Sequence, residues 1–302
     1  MLLKGRTESP ELMIMRSLNT RMELAEKEKF QYSNLEKGYE GELKFDVLTQ
    51  SLREERFIIN DLLLEVNNSY FQIDTLIISQ GIIHLLDIKY FQGDYYLNSD
   101  NFYSVTTERE YKNPIVQLKR SATLFRQLLQ NLKQNYLVDA YVIFNNPEFT
   151  LYQAPLDLPI ILPTQVNRFL RDLNNTSSTL NEGHKKLAQN IISLHQPKNP
   201  FTRLPEYHYD QLQKGIYCES CKSFQVTVQN YDLVCHNCGK HEKTEAAILR
   251  NVKEFHLLFP EQKITTKSIY DWCKVKLDKK TICRVLRNNY TQIGNTRSTY
   301  YC

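Results

Sequence analysis

The apolar positions of the chain follow two rhythms, and these predict its elements. From Pro10 to Phe30, Leu12, Met15, Leu18, Met22 and Leu24 recur at approximately helical spacing among charged neighbours, with no Gly and no further Pro, which predicts one amphipathic helix. Gly38 to Leu52 predicts a second helix, with Leu43, Val47 and Leu48 on one side. Strand-like runs follow at Phe57 to Leu64, Ile73 to Ser79, Ile82 to Lys89 and Asp94 to Leu97. Asn113 to Leu132 returns to helical spacing through Ile115, Leu118, Ala122, Phe125 and Leu129. Val138 to Phe144 has the look of a buried strand, and Ile160 to Leu162 of another short one. Helix, three or four strands, helix, strand is the order of an α/β domain with a mixed sheet flanked by helices.

Beyond Arg168 the composition turns to Asn, Ser, Thr, Gln and Pro, with one helix expected over Leu180 to Leu194. A cysteine-rich element spans Cys218 to Lys240, and helical patterns follow at Ala246 to Phe259, Lys267 to Val275 and Lys280 to Arg287. The expected organisation is a helical segment over 1–34, the α/β domain over 35–165, a helical connector over 166–212, the cysteine element over 213–243 and a small helical module over 244–302. No internal repeat is visible.

Composition narrows the class. With 41% hydrophobic, 24% charged and 11% aromatic residues in 302, the chain has material for a packed core and is not globally disordered. Unbroken apolar stretches such as Leu76 to Ile78 and Ala140 to Phe144 fall far short of the ~18 residues of a membrane helix, and Lys4, Arg6 and Glu8 charge the beginning. Neither a membrane span nor an export signal is expected. The net charge of +4 is unevenly placed: residues 213–302 carry 15 basic and 8 acidic side chains, a net +7, against −3 for residues 1–212. A basic end on a slightly acidic body suggests a polyanion-binding appendage. Seven cysteines, four in paired C-x-x-C spacing, suggest metal binding in a reducing, cytoplasmic setting rather than disulfides.

Four separated features of the α/β domain carry candidate chemistry. They are Gly38-Tyr39-Glu40-Gly41-Glu42 opening a helix, Asp74 inside an apolar strand, Asp87-Ile88-Lys89 ending the next strand, and Gln117 on the following helix. A carboxylate among Ile73, Leu76, Ile77 and Ile78 needs a cation, a hydrogen-bond network or a strand end. Asp87 and Lys89, two apart on a strand, project from one face. Two carboxylates sharing a divalent metal beside a Lys would equip a site to hydrolyse a phosphodiester. Alternatively, Asp74 and Lys89 form a buried ion pair and Glu42 is a surface charge. The order GxxGE, Asp, [Asp/Glu]-x-Lys, Gln resembles the NERD (nuclease-related) domain, a branch of the PD-(D/E)XK nuclease superfamily, over roughly residues 1–160. The resemblance implies a restriction-endonuclease-like fold in which Asp74 and Asp87 ligate Mg²⁺ (or Mn²⁺) and Lys89 positions the attacking water. It further implies that Glu42 completes the acidic cluster and that Gln117 orients a phosphate or carboxylate. Asp87 departs from the Glu more frequent at that position. Tyr39, Tyr90, Phe91, Tyr95, Tyr96, Phe102 and Tyr103 lie near these motifs and are expected mainly in the core or on edge strands. His84, in the apolar run Ile82 to Leu86, is expected to be a hydrogen-bonded strand histidine.

Cys218-x2-Cys221, 13 residues, then Cys235-x2-Cys238 is spacing suited to one tetrahedral, structural Zn²⁺, with Asn230 and Tyr231 turning a hairpin and Gly239 at positive φ. This is similar to a zinc ribbon. Beyond it, two short helices and a hairpin near Gly294 resemble a winged helix, with Lys280, Arg284, Arg287 and the wing residue Arg297 as DNA contacts. The combined reading is a Mg²⁺-dependent DNA nuclease of DNA processing, repair or defence. The alternative is a catalytically inactive nucleic-acid-binding or regulatory protein on a nuclease scaffold. The oligomeric state is left open, a homodimer included.

Overall fold

The chain begins with a strand, β1 (Leu2–Lys4), and then forms two helices, α1 (Pro10–Arg21) and α2 (Glu26–Thr49). The computed structural model describes residues 1–53, 55–275, 278–295 and 299–302, so Arg297 lies outside the described residues. Ser9 caps α1 by accepting from the Leu12 N–H at 3.2 Å, with Pro10 pre-set for the first turn. The single helix expected to Phe30 is broken after Arg21: Met22 is extended at φ −147° and ψ 164°. No Gly or Pro marks this break. It turns Leu24 inward, where it is buried.

The buried face of α2 also departs from expectation. Gly41, Phe45 and Thr49 face the core, while Leu43 and Val47 are 41% and 62% exposed. Gly41 sets this face: a Cβ there would meet the Tyr90 Cβ at 2.3 Å, so only glycine lets the helix approach so closely. Gly38 has no such neighbour.

The chain then runs through β2 (Phe57–Val66), β3 (Ser69–Ile78), β4 (Ile82–Lys89), β5 (Gly93–Asn98), β6 (Asn101–Ser104), β7 (Glu110–Tyr111), α3 (Pro114–Asn131), β8 (Leu137–Phe144), β9 (Phe149–Tyr152), β10 (Ile160–Ile161), α4 (Pro163–Asn175) and α5 (Glu182–Ser193). Asn67 and Asn68, both at positive φ, close the β2–β3 hairpin in a two-residue turn. The main sheet has the order β1-β2-β3-β4-β8-β10; β2, β3 and β4 are antiparallel neighbours, and the other pairs are parallel. One face packs with α3 and α5 (Phe125, Leu128, Leu187, Ile191), the other with α2 and α4 (Phe45, Val166, Leu170, Leu173). This is the expected mixed sheet with helices on both faces. A second sheet, β7-β6-β5-β9, leans its inner residues Tyr95, Phe102 and Phe149 on the same core as Phe144. Its opposite face carries Tyr96 and Tyr103, stacked in register at 5.3 Å.

The chain divides into two compact units, residues 1–8 with 33–202 and residues 9–32 with 203–302. The first is the α/β unit. It takes in much of the expected connector, because α4 and α5 bury apolar stripes on the sheet. The expected N-terminal helical segment is likewise shared out, β1 to the first unit and α1 to the second.

The second unit combines α1 with β11 (Val226–Gln229), β12 (Asp232–Cys235), β13 (His241–Lys243), α6 (Thr244–Leu258), α7 (Thr266–Cys273), α8 (Lys279–Asn289), β14 (Gln292–Ile293) and β15 (Tyr300–Tyr301). Phe255, Ile269, Trp272, Ile282 and Leu286 form buried parts of its helices. Arg21 of α1 is fully enclosed there. It donates to Glu254 Oε2 at 2.5 Å, to Asn251 Oδ1 at 2.9 Å and to the Gln213 and Gly215 carbonyls, with Trp272 4.0 Å from its guanidinium.

Candidate active site and thiolate cluster

The β3–β4 ladder ends at Thr75↔Leu86, and the residues next in register are Asp74 and Asp87. There the two strands part. The Ile88 N–H donates to Asp74 Oδ2 at 2.7 Å, so a side-chain oxygen takes the place of a ladder partner. Across β2, the residue in line with Asp74 is Asp61, held at φ 55°. Three adjacent strands are thus irregular at one level, and each bears a carboxylate there. Irregular strand geometry of this kind re-aims side chains.

Asp87 is buried. Lys89 Nζ lies 2.9 Å from both of its oxygens, and Gln117 Nε2 of α3 donates to Oδ1 at 3.2 Å. Despite the nearby ammonium, Oδ2 has no hydrogen bond of good geometry and is closed to solvent. Burial raises the Asp87 carboxyl to about 6 against the pull of Lys89. Burial alone would lower Lys89, but the charges of Asp87, Asp74 and Glu42 hold it above its ordinary value. The expected trio Asp87, Lys89 and Gln117 is therefore in direct contact. The alternative pairs Asp74 with Lys89; here Lys89 pairs with Asp87, and Asp74 Oδ2 accepts from the Ile88 N–H.

Glu42 comes from α2. Burial, and after it the charge of Asp74, push its carboxyl up to about 8, while Arg6 pulls the other way. Its direct contact is Arg6 Nη1 at 2.8 Å. Among the described residues, Glu42, Asp74 and Asp87 do not bring ligand atoms within 4.8 Å of one another as a set; the one group that does is the four cysteines. The Asn145 amide donates to the Gly41 carbonyl at 2.7 Å, and its own N–H to the Lys89 carbonyl at 3.2 Å, tying the start of the Glu42 segment to the end of β4.

Sequence reasoning missed Arg6, Asp46, Asp61 and Asn145. None sits in a recognisable motif. Only the non-glycine turn inside an apolar run at Asn60-Asp61 hinted at an interruption. His84 is buried on β4, and its Nδ1 has no partner, unlike the bonded histidine expected.

In the second unit the four Sγ atoms lie within 4.8 Å of one another, Cys218 to Cys238 at 3.6 Å and Cys221 to Cys235 at 3.5 Å. The two knuckles are built alike. Lys222 N–H donates to the Cys218 carbonyl and Gly239 N–H to the Cys235 carbonyl, with Lys222 and Gly239 at φ 59° and 70°. Asn230 and Tyr231 at positive φ turn the β11–β12 hairpin as expected. Donation from the Asn237 side chain, then from the Ser223 backbone, lowers the Cys221 thiol to about 6. All seven cysteines are free of disulfides. The cluster fits a zinc ribbon. Lys280, Arg284 and Arg287 are exposed along α8, opposite buried Ile282, Val285 and Leu286.

Residues 37–145 match the family model NERD, the nuclease-related domain. The chain carries a nuclease-related domain, and the α/β unit is its nuclease-like fold; the match includes Glu42, Asp74, Asp87, Lys89 and Gln117 and ends before α4. No curated protein and no solved structure matches the chain. No helix among the described residues is long and apolar enough to cross a membrane.

Proposed function

We propose that this carrier of a nuclease-related domain is a metal-dependent deoxyribonuclease whose working site is Asp74, Asp87, Lys89 and Gln117, with Glu42 beside them. The observation that carries the reading is the Asp87 carboxylate: buried, with Lys89 Nζ 2.9 Å from both oxygens and Gln117 on Oδ1, and next in register to Asp74 where β3 and β4 part. Burial and the charge of Asp74 both raise the Asp87 carboxyl despite Lys89, and a divalent cation shared by the two carboxylates would offset that cost. Asp74 and Asp87, hard oxygen donors at the fork of two strands, fit Mg²⁺ or Mn²⁺. Such an ion, when bound, supplies Lewis-acid stabilisation of phosphate oxygens and lowers the pKa of bound water. Lys89 would hold the attacking water and lend charge to the phosphate, and Gln117 would keep Asp87 in its rotamer. The four thiolates fit a single structural Zn²⁺, because ~2.3 Å Zn–S bonds at tetrahedral angles place sulfurs roughly 3.8 Å apart.

The second unit supplies the grip. Its last three helices and terminal hairpin would act as a winged-helix-like module, with Lys280, Arg284 and Arg287 facing phosphate. The test is a Mg²⁺ and Mn²⁺ titration with labelled duplex, branched and single-stranded DNA, comparing wild type with Asp87→Ala. Metal-dependent cleavage by the wild type, reduced at least about a hundredfold in the variant, supports the reading. Binding without cleavage in both would turn the protein into a nucleic-acid-binding one on a nuclease scaffold. In the same assay Arg284→Ala with Arg287→Ala should flatten the log-log salt dependence by about 0.9 for each phosphate that is no longer neutralised.

A further inference from the structure

We infer that Arg6 is a positioning residue of the acidic site, setting the Glu42 carboxylate relative to Asp74 through a bridge delivered by the N-terminal strand. This deepens the nuclease reading and rests on it. Arg6 lies outside residues 37–145, the segment that matches the family.

The geometry is that of a clamp with every nitrogen engaged. Nε and Nη2 grip the two oxygens of Asp46 at 3.0 and 3.1 Å, and Nη1 holds Glu42 Oε2 at 2.8 Å. Nη2 also donates to the Asp74 carbonyl at 2.9 Å and to Thr75 Oγ1 at 3.2 Å. Glu42 and Asp46 stand one turn apart on α2, whereas Asp74 and Thr75 mark the point where β3 leaves its ladder. One planar guanidinium thus fixes the helix bearing one acid against the strand bearing another. With its side chain 1% exposed, it does so out of reach of water. A forked bidentate donor is what a lysine cannot reproduce.

Arg6 is itself held from the chain end. Leu2 and Lys4 pair with Ile58 and Ile59, and the Met1 ammonium donates to the Arg56 carbonyl at 2.5 Å. Lys4 Nζ donates to the Asn60 and Asp61 carbonyls at 2.9 and 2.6 Å, at the irregular point across from Asp74. Lys89 is committed to Asp87, so Arg6 is the cation in contact with Glu42.

The test uses full-length Arg6→Ala and Arg6→Lys, with Asp74→Ala as reference, and reads Mn²⁺ affinity by electron paramagnetic resonance alongside kcat and KM on the cleaved DNA. Removing a group that orients a working residue characteristically costs about 10–100-fold in activity or metal affinity. We expect Arg6→Ala to lose that much in kcat with KM for DNA within about twofold, and millimolar methylguanidinium to restore part of it. Arg6→Lys, which keeps the charge, should fold like wild type and still lose kcat, and it carries the test if the alanine variant unfolds. Wild-type kcat and Mn²⁺ affinity in a folded Arg6 variant, or a kcat loss in Arg6→Ala that methylguanidinium leaves untouched, would overturn the proposal. Those results with Asp74→Ala inactive would strike Arg6 alone; full cleavage and Mn²⁺ affinity in Asp74→Ala would instead overturn the site reading beneath it.

Discussion

The acidic site of the first unit and the thiolate cluster of the second both gather groups that can carry negative charge, but they are stabilised in opposite ways. Around Glu42, Asp46, Asp61, Asp74 and Asp87 the protein supplies its own cations, Arg6, Lys4 and Lys89, at 2.8 to 3.7 Å. A divalent ion there would join an arrangement that already stands. The four sulfurs, by contrast, lie against one another, at 3.5 and 3.6 Å, with neutral donors such as the Asn237 side chain and the Ser223 backbone at Cys221. Two short knuckles and a hairpin have too small a core to fold alone, so a metal held by the four thiolates would be part of the fold. The first arrangement suits a site that must admit and release ligands, and the second a closed structural one.

Metal removal should break the comparison most visibly. Structural zinc contributes on the order of 10 kcal/mol in small thiolate modules. Purified protein should therefore carry one zinc per chain, and Cys218→Ser or Cys238→Ser should abolish amide-exchange protection over residues 213–243. Stripping Mg²⁺ should leave exchange across the β3–β4 ladder unchanged. Zinc-free protein with a protected hairpin would show that the thiolate cluster stands by itself, as the acidic site does.

These two regions also differ in how far the sequence reveals them. The thiolate cluster is local: two C-x-x-C pairs, a turn pair and a glycine fall within Cys218 to Gly239, and each keeps its expected geometry. The acidic site assembles residues from 42 to 117, visible only as an order of motifs, and its geometry depends on Arg6, which looks like any charged residue near a terminus. Burial decided the rest. Phe45 outcompeted Leu43 and Val47 for the core because Gly41 brings that side of α2 against Tyr90. The α1–α2 break has no local signal at all. α4 did have one, Pro163 at its first turn and Val166, Leu170 and Leu173 at helical spacing, obscured by the polar residues around them.

A smaller effect sharpens what stabilises the second unit besides metal. Tyr217, next to Cys218, donates to Glu254 Oε1 at 3.0 Å, and Glu254 is paired with Arg21. Taking away one member of a buried pair strands the other, at a cost of about 3–5 kcal/mol. Arg21→Met should lower stability by that amount, and adding Glu254→Gln should recover much of it. The one tryptophan of the chain, Trp272, lies against Arg21, so urea unfolding followed by its fluorescence reports this unit. An unchanged midpoint in Arg21→Met would assign the unit's stability to the zinc module and the remaining helices.

The smallest effect separates the acidic site from its own sheet. His84 sits on β4 three residues before Asp87, its ring edge-on to Phe169 at 6.2 Å and its Nδ1 unpartnered. Burial, with a contribution from Arg56, lowers its pKa below the ordinary 6.5, and Asp139 opposes this only in part. The folded state therefore binds this proton less readily than the unfolded one. Stability is intact above pH 6.5 and declines as pH falls from there toward the lowered folded value, by at most about 1.4 kcal/mol per pH unit for one proton. His84→Phe should remove this slope without changing stability much at pH 7.5. Amide exchange along the β3–β4 ladder at pH 7.5 and 5.5 would measure it. If the slope persists in His84→Phe, the acid sensitivity of this sheet comes from the carboxylates at its fork, and the protein's own cations do not stabilise that site across the whole range.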